Sequence, residues 1–344
     1  MLDPRNADAL RLLGRLWVEE LRPEDLASLG RLPELADALG GAGSADLTDL
    51  AAEHQRLFGF NLPPYESLYL DPSGLLGAPA TQRVAQRLQA AGWTAPAGWR
   101  AAAPDHLGLL LRATGELLAA GDAAAAGAAQ ALLSEHLALW APLCIAGLRR
   151  LAPHPFYQAL GALTLGVLLN ALPEEGLRAD LPELPEAPHY QGSDAAIPGS
   201  EPPPAGPPPS EPAPSPLPPW AVPLPATPAE APSRDLDSLV QDLLLPRASG
   251  LYLTRRDIAG LAHGLGLTAP AGERRRMLAS LLRGAGGLGL ADPVLRHLDA
   301  LLADEVANLG AWAEAWPAWA PVARLWTARL AARRAELAEG LAQT

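Results

Sequence analysis

Between residues 173 and 232 the chain holds more than half of its 37 prolines, in runs such as Pro202-Pro-Pro204, Pro207-Pro-Pro209 and Pro218-Pro-Trp220. Proline lacks a backbone N–H and fixes φ, so such a stretch can form neither a packed helix nor a central strand. It is expected to be a semi-extended flexible linker, about 3 Å per residue where polyproline-like. This divides the chain into a helical domain at 1–172, the linker at 173–232 and a helical C-terminal extension at 233–344. At 344 residues the length agrees with about two domains.

The flanks carry helical periodicity. Leu107, Leu110, Leu111, Leu117 and Leu118 share one face at three- and four-residue spacing. Leu132, His136, Trp140, Leu143 and Gly147 form a second stripe, with a kink expected at Pro142. Thr254 and Asp257 have the spacing of a capping box opening a helix through Ile258 and Leu261. No run of alternating β-branched residues and no Asn-Gly or Asp-Gly turn is present, so the chain reads as all-α. Trp312, Trp316, Trp319 and Trp326 would share a helix face, interrupted by Pro317 and Pro321, and are expected to pack in a core.

Several functions are excluded or disfavoured. There are 38 acidic and 26 basic side chains, all of the latter Arg, for a net charge of −12. An acidic chain is a poor nucleic-acid binder, and one without lysine has neither a Schiff base nor a P-loop lysine. A single cysteine rules out a disulfide framework and cysteine-based zinc sites. The N-terminal residues do not resemble an export signal, and the uncharged runs Leu137–Leu148 and Ala159–Leu172 are shorter than a membrane span. A soluble, cytoplasmic protein without stable membrane insertion is the expectation. No two histidines have helical metal-ligand spacing, and no nucleophile elbow or phosphate-binding loop is present. The residues that invite a role are Asp105, His106 and His136. On packing grounds, Pro104 and Asp105 begin a helix and cap it, and His136 is a hydrogen-bonded core histidine.

Three segments together are more specific: Glu53-His-Gln-Arg-Leu-Phe58 running into Leu62-Pro-Pro-Tyr-Glu-Ser67-Leu-Tyr69, then Pro104-Asp-His-Leu107, then Glu135-His-Leu137 with Trp140 and His154-Pro-Phe-Tyr157. In this order and spacing the chain resembles the TorD/DmsD family of cytoplasmic chaperones for molybdenum-containing oxidoreductases, over roughly residues 10–172. It departs from the family in carrying Ala102 and Ala103 where an acid commonly precedes the Pro-Asp-His motif. The resemblance implies a non-enzyme that binds the twin-arginine signal peptide of an apo-molybdoenzyme and assists cofactor insertion before export. It implies no bound cofactor of the chaperone's own, and a monomer or a dimer exchanging helices. Pro104, Asp105 and His106 are implied as hinge and binding motif, with Tyr65, Glu66 and Ser67 as neighbours. His136 and Trp140 add the residue types that an apolar groove with acceptors at its rim requires. The alternatives are a metal-dependent helical hydrolase using Asp105, His106 and His136, and a non-catalytic scaffold docking a partner through its C-terminal tryptophans.

Overall fold

The computed structural model describes residues 6–40, 44–96, 103–173, 177 and 236–343. Apart from Pro173 and Leu177, the expected linker lies outside them. Among the described residues there is no strand, and the only strand-like pairing is an isolated antiparallel bridge between Tyr65 and His106. The all-α expectation holds.

The first helix, α1 (Ala7–Val18), buries Leu10, Leu13, Leu16 and Trp17. Other helices of the N-terminal part are α2 (Pro33–Leu39), α3 (Ser44–His54), α4 (Glu66–Leu70), α5 (Pro79–Ala90) and α6 (Leu107–Ala120). They are followed by a continuous helical run, α7 (Ala123–Leu151), and by α8 (Pro155–Asn170). Helices α1 and α6 pack backbone to backbone through glycines: a methyl on Gly14 would stand 2.5 Å from the Gly108 carbonyl, and one on Gly115 2.7 Å from that of Ala7. The predicted leucine face of α6 is the one that is buried.

Helix α7 corrects one expectation. Its apolar run is longer than Leu137–Leu148, because the Ala-rich start from Ala123 joins that segment. It has the length and composition of a membrane span, yet 83% of its most apolar window is buried inside the fold. It is a core helix here, with a π turn at Leu132–Leu137 and Pro142 inside the following α segment.

From residue 236 onward come α9 (Leu236–Leu244), the four-residue α10 (Pro246–Ser249), α11 (Arg255–Gly264), α12 (Arg274–Gly287), and two long helices, α13 (Ala291–Ala315) and α14 (Ala320–Gln343). The capping box at α11 forms as expected: Thr254 Oγ1 accepts from the Asp257 N–H, and the Asp257 carboxylate accepts from the Thr254 N–H. Pro317 breaks the tryptophan face as expected by opening a single 3-10 turn, whereas Pro321 sits in the first turn of α14, where its missing N–H costs nothing.

The two helical parts share one continuous core. Pro142 explains why they fit. It cannot donate to the Ala138 carbonyl four residues back. That carbonyl instead accepts from the indole N–H of Trp319 at 2.8 Å, and the next one, Leu139, accepts from Trp326 at 2.8 Å. Both indoles are buried, so they supply internal packing and not an exposed partner patch. Nearby, Tyr69 stands between Trp140 and the extension's Tyr252, with ring centroids 5.1 and 5.3 Å away. The Arg150 guanidinium crosses the same boundary to Asp257, at 3.0 and 3.2 Å, and to the Tyr252 carbonyl.

Candidate functional site

Two chain segments far apart in sequence are stitched together at the Pro-Asp-His turn. The Glu66 N–H donates to the Asp105 carbonyl at 3.0 Å, and the Leu107 N–H donates to the Pro64 carbonyl at 2.8 Å. The Asp105 carboxylate accepts from the Ser67 N–H at 2.9 Å. Asp105 therefore caps α4 across the interface, and not its own helix as its place in the sequence suggests. Helix α6 begins at Leu107 and its N-cap is His106, whose Nδ1 accepts from the Gly108 N–H at 3.0 Å. Pro104 lies in the turn before the helix and not at its first position. With Nδ1 accepting, His106 carries its proton on Nε2, and burial pushes its pKa down to about 3. Tyr65 meets the His106 ring edge-on at 4.8 Å.

Glu66 points into the core. Its two carboxylate oxygens lie 2.9 and 3.1 Å from Nδ1 of His136, which sits in the π turn of α7. Burial raises the Glu66 pKa, and His136 opposes that shift. The two buried groups are hydrogen-bonded to each other, so the pair clamps α4 to α7. His136 is thus the hydrogen-bonded core histidine that its stripe suggested.

Most of the site residues taken from the sequence are interior. Glu66, Ser67, Asp105, His106, His136 and Trp140 are all buried, and only Tyr65 and Pro104 are half-exposed. Glu66, Ser67, Asp105 and His106 form the stitched turn next to Pro104, His136 anchors Glu66, and Trp140 packs against Tyr69. Pro104 itself walls an open, mostly apolar groove of about 470 Å³, facing Leu88, Trp93 and Leu109, with Ala85, Ala95 and Ala103 completing its apolar lining. Trp93 is held by a hydrogen bond from its indole N–H to Glu116 at 2.6 Å, and Glu116 also accepts from Arg112 at 2.6 Å. The wall is thus fixed in place.

The groove departs from the expected chemistry in one respect. The acceptors anticipated at its rim were carboxylates and histidines, but its polar lining consists of Gln89 and Thr94. Among the described residues, no charged side chain lines it. Sequence reasoning also missed Leu88 and Trp93, which come from the end of α5 and the chain just beyond it. The Gly92-Trp93 step, with Gly92 at φ 67°, is the local signal that the chain turns there.

Among the described residues, no three His, Cys, Asp or Glu side chains converge as a metal would need. Both histidines of the imagined metal site have Nδ1 committed, to Gly108 and to Glu66. Cys144 is buried, and its thiol is pushed up to about 12, which leaves it unreactive.

Residues 23–146 match the family model of the nitrate reductase delta subunit. The match covers every residue of the stitched turn, the Glu66–His136 clamp and the whole groove lining, and ends before the C-terminal extension. No curated protein matches the chain.

Proposed function

The segment 23–146 belongs to the nitrate reductase delta subunit family, and on that premise we propose that the protein is a maturation chaperone for a molybdoenzyme catalytic subunit, not an enzyme, and that it works in the cytoplasm. Its site is the groove between Pro104 and Trp93, which holds an extended apolar stretch of the apo-enzyme, such as that of a twin-arginine signal peptide, until the molybdenum cofactor is in place. The observation that carries this reading is the position of Pro104. Two backbone hydrogen bonds, one carboxylate cap and a buried Glu–His clamp fix a proline on the wall of a groove whose described lining carries no charge, inside the matched segment.

The energetics suit a modest, reversible grip. Burying two or three aliphatic side chains of a peptide contributes about 1.5–3 kcal/mol each before ordering costs are subtracted. Because no charge lines the groove among the described residues, the arginine pair is read at its margin, aided by the long-range field of a chain with net charge −12. Replacing Arg-Arg by Lys-Lys in the peptide therefore weakens binding less than replacing two apolar residues of the following stretch by Asn. Calorimetric titration of the full chain with these peptides tests this. Absence of binding to any of them, together with unchanged client activity when the gene is deleted, overturns the reading.

A further inference from the structure

Away from the groove, three arginines stand on elements that meet where the two helical parts join. Arg83 is on α5, Arg247 is in α10 and Arg329 is on α14. Helix α10 is wedged between α4 and α14. A methyl on Gly250, which caps α10 with φ 77°, would stand 3.0 Å from the Trp326 carbonyl, so the backbones touch. Several other arginines with buried or half-buried guanidinium groups are answered by carboxylates: Arg15, Arg56, Arg150, Arg333 and Arg334 make ion pairs. At this seam, among the described residues, none of the three has a carboxylate within ion-pairing distance. Nη1 of Arg247 and Nη1 of Arg329 are buried without a hydrogen-bond partner.

The field at Arg247 carries contributions from both other arginines. Burial, then Arg329 and Arg83, take Arg247 down to about 10, while Asp71 opposes. Burial alone takes Arg329 down to about 10. Both remain cations at neutral pH. Asp71 makes no ion pair with them, and its oxygens accept instead from the Ser73 N–H and hydroxyl and from the Ala80 N–H. Arg329 is steadied over the Trp326 ring at 4.7 Å. Bringing like charges together and leaving buried donors unpaired is costly, and in an acidic chain carboxylates were available to prevent it.

We infer that Arg83, Arg247 and Arg329 form a binding site for a phosphate-type dianion at the seam between the N-terminal domain and the C-terminal extension. Three guanidinium groups against one carboxylate leave a local excess of two positive charges, which a phosphate dianion neutralises. Their planar forks also match phosphate oxygens better than a point charge would. Occupancy would tie α5, α10 and α14 together, so the anion would steady the seating of the extension.

Thermal unfolding and calorimetry of the full chain with sodium phosphate, at an ionic strength held constant with sodium chloride, test the site. The expected result is a saturable rise in Tm with about one phosphate bound per chain. Arg247→Gln should bind at least about tenfold more weakly, the loss of one charge-assisted contact. Its Tm without phosphate should be unchanged or higher, because a repulsion has been relieved. Arg83→Gln, at an exposed position, leaves the fold intact and should also weaken binding. Glycerol phosphate binding as tightly as inorganic phosphate assigns the site to phosphomonoesters, and selective binding of the inorganic ion assigns it to free phosphate. A Tm rise no larger than in sodium chloride alone, or wild-type binding by both variants, overturns the inference.

Discussion

Replacing Trp319 by Phe removes one N–H and part of a buried ring, and the consequence depends on a residue in another helix. The Ala138 carbonyl has lost its helical donor to Pro142, so the Trp319 indole at 2.8 Å takes that place. The substitution leaves a buried acceptor unpaired, costing about 1–3 kcal/mol. The smaller ring in a fully buried position adds about 1 kcal/mol of cavity cost. In a Pro142→Ala background the restored backbone N–H can reach the same carbonyl, so the penalty of Trp319→Phe should fall by about 1–2 kcal/mol. Trp326→Phe is the control. Its acceptor is the Leu139 carbonyl, and Leu143 four residues on retains its N–H, so that change should show no coupling to Pro142. Urea unfolding of the four variants of the cycle, followed by far-UV circular dichroism because the indoles themselves change, measures the coupling. Additivity of Trp319→Phe and Pro142→Ala to within about 0.5 kcal/mol refutes the account of how the extension is joined to α7.

Other outcomes follow from the same geometry. Gly108→Ala should cost about 1–3 kcal/mol in urea unfolding, because its methyl meets the Gly14 backbone carbonyl, which cannot yield as a flexible side chain would. His106 is neutral in the fold, with a pKa near 3 against 6.5 for the free group, so its contribution is present above pH 6.5 and is lost as pH falls toward 3. His106→Asn, which keeps a capping acceptor, should flatten the acid limb of the stability curve by about 1.4 kcal/mol per pH unit between about pH 6 and 4. Ala85→Phe on the exposed groove wall should abolish peptide binding in calorimetry while shifting stability by no more than about 0.5 kcal/mol.

The fold was readable where its cause is local. The leucine face of α6, the capping box at Thr254 and the interruption at Pro317 are each dictated by residues within one or two turns, and each appears in the structure. The site was readable only in part, because its contacts are between segments distant in sequence. Asp105 looks like the cap of the helix that follows it, but it caps α4, some 38 residues earlier in the chain. Likewise, the spacing around Glu66 gives no sign that it meets His136, 70 residues on, in a π turn. Burial then separates the recognisable residues from the accessible ones. Motif residues such as Asp105 and His106 lie inside, and the surface they position is lined by Leu88 and Trp93, which no motif distinguishes.

Hydrogen exchange of the full chain, read by mass spectrometry with and without a saturating apolar signal-type peptide, addresses the groove itself. New protection is predicted in two separate stretches, residues 85–95 and 103–109, with α13 and α14 unchanged. Protection confined to the C-terminal helices, or absent from both stretches while the peptide is bound, would contradict it.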